Sequence, residues 1–249
     1  MSGGRPAPLR LAHVEQRPEV VVAVAPDEPP PGREALVVEP ALPGAARTSP
    51  PGRAGGRIVV RASLPGIGGR YLAQVARSAA AGGWAAEELA ALVVELERRC
   101  TYLLLASTVA TLVGSRPRRP GVHGRRRAVA WDGVGWSGAH TRDLAASART
   151  VAGRGYLCAA ATSGSAPPRA VAAALADLTA SGVSVGRITH GVAAALSASW
   201  AVELLGAPPL SAPQLQRLRE QFGAAPRCDW CGLPVVGRHC RRCSPDRQS

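Results

Sequence analysis

Lysine is missing from this chain: all 30 residues counted as Lys or Arg are arginine. That absence removes several chemistries at once. A phosphate-binding P-loop, a pyridoxal enzyme and a protein kinase each need a lysine at a defined place, for the phosphates or for a Schiff base. Aromatic residues are also scarce, at 4%, and Phe222 is the sole phenylalanine. A core must then rest on Ala, Leu and Val, which suits closely packed helices better than an aromatic-rich sheet. The five histidines are dispersed, at positions 13, 123, 140, 190 and 239. No His-x-His, His-Glu-x-x-His or Gly-x-Ser-x-Gly occurs, so the common nuclease, metalloprotease and hydrolase signatures are missing. No apolar run reaches the roughly 20 residues that span a bilayer. The strongest, Thr101 to Val113, reads as a buried helix, although the arginines on either side of it are also what membrane segments show.

What the chain does have is apolar content of 46%, enough for a core, and a formal charge of +13 with an isoelectric point near 11.1. Arginine neutralises phosphates and releases their counterions, so the charge suggests a polyanionic partner, DNA above all. A GC-rich genome, which inflates Ala, Gly, Arg and Pro without selection for binding, is the competing explanation. The N-terminus lacks the order of a signal peptide, and the expected location is cytoplasmic.

Residues 1–56 hold half of the 22 prolines, including Pro29-Pro30-Pro31, with acids and arginines nearly balanced. This predicts a disordered arm. Arg57 to Ala62 is β-prone and closed by Pro65-Gly66, an edge strand or an extended lead-in. Helical spacing then begins. Tyr71, Leu72, Val75 and Ala79 lie on one side of a first helix, Gly82-Gly83 breaks it, and a second carries Leu89, Leu92, Val93, Leu96, Cys100, Leu103 and Leu104 on to about Val113. Glu87 and Glu88 complement the dipole at its start. Two helices across a glycine turn resemble a helix-turn-helix, an arrangement common to many helical proteins.

From Ser115 to Arg127 the chain carries six arginines, Arg116, Arg118, Arg119, Arg125, Arg126 and Arg127, and no acid, with prolines and glycines that prevent a helix. This basic loop is expected either to lie along a phosphate backbone or to act as a solvated linker. Trp131 and Trp136 bracket a glycine turn and read as anchors of that turn rather than base-stacking groups. A second helical block opens at Pro167-Pro168. Val171, Leu175 and Leu178 form one stripe; Gly182 interrupts it, and Ile188, Val192, Ala195, Leu196 and Val202 form another. Ser211-Ala-Pro-Gln214 is a capping box ahead of a short helix with Leu215, Leu218 and Phe222 on its buried side. The expected fold class is therefore mainly α: a helical bundle-like body with a disordered N-terminal arm and a small C-terminal zinc ribbon. Its parts are the arm 1–56, a helical block 57–114, the basic loop 115–130, a second helical block 131–225 and the ribbon with its tail at 226–249.

The ribbon expectation rests on Cys228-Asp-Trp-Cys231 and Cys240-Arg-Arg-Cys243, two Cys-x-x-Cys pairs eight residues apart. Four thiolates at that spacing suit zinc, which prefers a tetrahedron of such ligands; disulfides are the alternative, for which nothing points to an oxidising compartment. The segment resembles the short bacterial zinc-ribbon family: the four cysteines match its ligands and Gly232 its glycine, while the hairpin is shorter and Ser244 stands where a second glycine is common. What this implies is a structural Zn2+ site with no open position for water. His239, before the second pair, matches a bulky packing position rather than a ligand. Residues 69–90 bear a weaker likeness to uncharacterised helical proteins associated with actinobacterial plasmids and phages.

Together these observations predict a DNA-binding regulatory or replication-associated protein, contacting phosphates through the basic loop and through Arg241 and Arg242, with Arg238 beside them. The alternative is a zinc-ribbon adaptor that binds a protein and no nucleic acid. Enzymatic activity is not expected. Asp132, His140 and Asp143 are the one acid and histidine cluster in mid-chain and read as loop hydrogen bonding. Cys100 and Cys158 read as buried small residues.

Overall fold

The computed structural model describes residues 21–24, 34–40, 53–54, 57–107, 128–133, 136–139, 143–188, 192–236 and 240. Ten strands and six helices run in the order β1 (Val21–Val24), β2 (Ala35–Pro40), β3 (Arg53–Ala54), β4 (Arg57–Ala62), α1 (Gly66–Ala81), α2 (Ala86–Arg99), β5 (Thr101–Ala106), β6 (Ala128–Trp131), β7 (Trp136–Ala139), α3 (Asp143–Gly153), β8 (Leu157–Gly164), α4 (Arg169–Ala180), β9 (Ser184–Arg187), α5 (Val192–Ala195), β10 (Trp200–Ala207) and α6 (Ala212–Ala224) among the described residues. The chain is thus mixed α/β, and the mainly α expectation is corrected.

Two sheets form. The first has the order β1-β2-β4-β3, with β1, β2 and β4 parallel. The second has the order β7-β6-β5-β10-β8-β9, antiparallel except for the β8–β9 pair. Helices α1 and α2 lie between the sheets. One core joins Leu36, Val38, Ile58 and Val60 of the first sheet to Leu72, Leu89 and Leu92 of the helices and to Tyr102, Leu104 and Leu205 of the second sheet. The opposite face of the second sheet, with Leu103, Leu105, Val202 and Leu204, packs a second core on Leu144 of α3 and Val171, Leu175 and Leu178 of α4.

The corrections follow from this layering. Val21–Val24 and Ala35–Pro40 belong to the stretch expected to be a disordered arm, yet they extend the parallel sheet, because alternate residues Leu36 and Val38 are fully buried against α1 and α2. The second helix stops at Arg99: Cys100 is extended and the next six residues are a strand. Leu103 and Leu104 are both buried, one in each core, so the run is apolar on successive residues and mimics a helix stripe. The second stripe of the second block is likewise divided: Ile188 follows β9, Val192 and Ala195 lie in the single turn α5, Leu196 follows it and Val202 lies in β10. The pair α1 and α2 is no DNA-reading motif, for both of its apolar faces are buried between sheets. Arg57–Ala62 is a strand, flanked by β2 and β3 rather than at an edge.

Other expectations agree with the structure. Glu88 accepts from the Ala85 amide at 3.0 Å at the start of α2. Ser211 and Gln214 cap α6 reciprocally, the Ser211 amide donating to Gln214 Oε1 at 2.7 Å and the Gln214 amide to Ser211 Oγ at 3.4 Å. Trp131 pairs with Trp136 across the β6–β7 turn, and its indole N–H donates to the Glu97 carbonyl at 3.1 Å, so the tryptophans are anchors. Asp143 begins α3, whereas His140 lies outside the described residues.

The packing of β10 yields a test. A Cβ placed on Gly206 would overlap the Val151 side chain and the Thr101 hydroxyl, while one placed on Gly186 of β9 meets nothing within 4 Å. Gly206→Ala is expected to lower unfolding stability by about 1–3 kcal/mol through overpacking, and Gly186→Ala to change it by less than about 0.5 kcal/mol. Urea denaturation followed by circular dichroism reads both; equal midpoints for the two variants would contradict the close approach of α3 to β10.

Candidate functional site

Helix α6 delivers the chain to the cysteines. Its Phe222 packs edge-on against Trp84, with ring centroids 6.3 Å apart, and Arg219 reaches over the same ring to donate to the Gly82 and Gly83 carbonyls at 3.2 and 2.6 Å. Arg219 also faces Glu88 at 3.6 Å. The segment after α6 then folds back on itself: the Cys228 amide donates to the Leu233 carbonyl at 2.9 Å, the Gly232 amide to the Cys228 carbonyl at 2.8 Å and the Val235 amide to the Pro226 carbonyl at 2.8 Å. Leu233, Pro234, Val236 and Cys240 line a cavity of about 20 Å³ together with Ala91, Val94 and Glu95 of α2 and Phe222 of α6.

This turn gathers three of the four expected ligands. The sulfurs of Cys228, Cys231 and Cys240 all lie within 4.8 Å of one another, and Cys231 and Cys240 are 3.5 Å apart. Cys228 and Cys240 are buried and none of the three is in a disulfide. Burial opposes ionisation of Cys228, but the Cys231 and Trp230 amides and the neighbouring thiols outweigh it and bring its pKa down to about 7. Cys243 lies outside the described residues, as does His239. The two remaining cysteines differ in kind. Burial, and next the charge of Glu97, push the Cys100 thiol up to about 12, and burial raises the Cys158 thiol, so neither is a ready nucleophile.

A second polar site went unnoticed in the sequence. Glu203 sits in the middle of β10, 1% exposed, on the face that meets α1. Its Oε2 accepts from the Ile67 amide at 2.6 Å, in the first turn of α1. The Tyr102 hydroxyl of β5 lies against the same carboxyl, buried and otherwise without a partner, and Glu203 Oε1 has no well-aligned donor among the described residues. Burial pushes the Glu203 carboxyl up, against the Ile67 amide, the Tyr102 hydroxyl, the Val192 amide and the Arg70 charge, which all favour its ionised form. Gly66 holds a left-handed φ of 49°, and a Cβ there would overlap the carboxyl. The signal available in the sequence was a single acid inside the apolar run Trp200 to Ala207.

The arginines expected to meet phosphate, Arg116, Arg118, Arg119, Arg125, Arg126, Arg127, Arg241 and Arg242, lie outside the described residues, and so does Arg238. No helix among the described residues is long and apolar enough to cross a membrane.

No family model and no curated protein matches the chain. Among solved structures it is similar to a DegV lipid-binding protein from Thermotoga maritima, with 13% identity over 71% of this chain and 70% of that one and a TM-score of 0.46. It is similar to a DegV family protein from Thermus thermophilus described by its fatty-acid binding, with 16% identity, 71% and 72% covered and a TM-score of 0.45. A fatty-acid-binding DegV from Bacillus subtilis gives 12% identity, 70% of each chain and a TM-score of 0.44. Both resemblances drawn from the sequence are corrected by the chain's own α/β layers. Residues 69–90 are most of α1, the exposed turn after it and the start of α2 in an α/β body, and among its described residues the cysteine segment pairs Arg227 with Pro234 and packs on α2 and α6. The DNA-binding expectation and the adaptor alternative are corrected with them: the helix pair is interior, and Leu233, Pro234 and Val236 of the cysteine segment face α2 and α6, while Trp230 is exposed. In place of a helical DNA reader stands a layered α/β body with a thiol cluster at one end and a carboxyl buried at its centre.

Proposed function

We propose that this chain is a non-catalytic α/β protein that holds one divalent ion of the zinc class through Cys228, Cys231, Cys240 and Cys243, and that the ion fastens the segment after α6 onto α2 and α6. The observation that carries the reading is the convergence of three sulfurs within 4.8 Å of one another. In a tetrahedral site with Zn–S bonds of about 2.3 Å, neighbouring sulfurs stand roughly 3.8 Å apart. The 3.5 Å between Cys231 and Cys240 is close to that spacing and far from the roughly 2.05 Å of a disulfide. Thiolates are soft donors that select zinc over calcium or magnesium. By the Cys-x-x-Cys spacing of the sequence, Cys243 would be the fourth ligand.

The residues around the sulfurs favour a structural role. Two backbone amides stabilise the Cys228 thiolate, and Leu233 and Pro234 bury the turn against α2 and α6. Four thiolates would leave no coordination position for water, which supports the non-catalytic reading. The bound ion would supply folding free energy to a stretch whose described residues make only a few backbone hydrogen bonds.

Elemental analysis of the purified chain is expected to find roughly one zinc ion per chain, as a four-thiolate site requires. Chelation is expected to lower the melting temperature and to expose four further thiols to an aromatic disulfide reagent. A metal-free protein whose thiols react at once would end this reading. Cys231→Ser is expected to weaken zinc retention by at least about tenfold, since even outer-shell partners of metal sites are worth that much. Cys100→Ser, inside the core, leaves zinc stoichiometry unchanged, and a loss of metal in that variant would contradict the assigned ligands.

A further inference from the structure

Helix α1 is 16 residues long, yet it starts at Pro65 with no side-chain cap and has no acid in its first turn. Its N-terminal amides would ordinarily need both, since the first turn of a helix leaves N–H groups unpaired and carries partial positive charge. Glu203 supplies them from 136 residues away, its Oε2 accepting from the Ile67 amide at 2.6 Å. The arrangement is closed on every side. Gly66 stands where any side chain would overlap the carboxyl, and Tyr102 brings its buried hydroxyl from β5. A helix start alone would be no site. Here a hydroxyl with no other partner, on a residue 2% exposed, converges on the same point from a different element.

We propose that Glu203 is an internal ligand: its carboxyl fills a closed carboxyl-binding cradle made by the start of α1, with Gly66 and the Ile67 amide, and by the Tyr102 hydroxyl, and the vacated cradle takes a free small carboxylic acid. The cradle recognises the carboxyl group, with the Ile67 amide as donor and the buried Tyr102 phenol beside it. In the native chain the site is filled, so external carboxylates do not enter.

Glu203→Ala removes a CH2–COO group, which is the size of acetate. The variant is expected to melt roughly 5–10 °C below the native chain, as loss of a buried, hydrogen-bonded group from a chain of this length does. Acetate or formate is expected to recover at least half of that loss in a saturable way. Sodium chloride at equal ionic strength recovers none, and hexanoate, too long for a closed cradle, recovers none either. Acetate leaves the melting of the native chain where chloride leaves it. Should Glu203→Ala fail to accumulate as folded protein, its refolding from urea with and without acetate gives the same reading, with recovery of helical signal expected only in acetate. The proposal is overturned by a variant as stable as the native chain, by equal gains in chloride and acetate, or by an acetate effect on the native protein. It is overturned equally by refolding that is indifferent to acetate, and by hexanoate acting as well as acetate.

Discussion

The carboxyl of Glu203, held at the first turn of α1, is the tie on which the layered body depends. Strand β10 is paired along both edges, to β5 and to β8, and is buried through its whole length. Helix α1 packs on β1 and β2 of the other sheet. This polar contact between central strand and central helix therefore couples the two sheets through the layer that separates them. Burying a carboxyl costs several kcal/mol unless it finds donors. It finds them at a helix start that has no cap of its own, so two defects offset each other. Glu97 of α2 repeats the device on a smaller scale, for its carboxyl accepts from the Ser63 amide just after β4. Both acids close the joint where β4 turns into α1.

The two cores explain why small residues dominate the composition. Helices enclosed between sheets must approach them closely, and α1 does so with Ala73, Ala76, Ala79 and Ala80 buried along its length. The few aromatics are placed where a joint needs filling. Trp84 and Phe222 lock α6 to the α1–α2 turn, while Trp131, Trp136 and Tyr102 form a cluster beside β5, Tyr102 and Trp136 edge-on at 5.7 Å. The cysteine turn extends this logic, resting Leu233 and Pro234 on α2 and α6 rather than folding as a separate module.

Elements whose residues alternate between buried and exposed on a helical period were legible. Leu72 and Ala79 of the first stripe, with Tyr71 and Val75 half-buried beside them, the triad Val171, Leu175 and Leu178, and the Ser211–Gln214 box all mark helices in the structure. Strands β5 and β10 were not, because both faces of each are buried and successive apolar residues carry no period of two. Leu103 and Leu104 then fit a helical stripe as well as a strand, and only sheet pairing distinguishes them. Strands β1 and β2 were obscured by the prolines around them, since local composition says nothing of a parallel partner some twenty residues away in sequence. The thiol cluster was readable because ligand spacing is a local property. Glu203 was not, because its meaning lies in the Ile67 amide that it meets only in the folded chain.

The same reasoning bears on the charge of +13. Arginine has a rigid fork of donors that suits carbonyl oxygens as well as phosphates. Arg77 donates from α1 to the Val22 carbonyl of β1 at 3.1 Å, Arg187 from β9 to the Gly164 carbonyl of β8 at 2.9 Å, and Arg219 from α6 to the glycine turn. Each of these ties joins two parts of the fold through a backbone carbonyl. Arg99, by contrast, pairs with Glu95 on its own helix at 2.7 Å. A chain without lysine can thus use its cations as fasteners of backbone, and a count of positive charge does not distinguish a fastener from a phosphate contact. What distinguishes them is the acceptor each guanidinium already holds, and for these three arginines that acceptor is the protein itself.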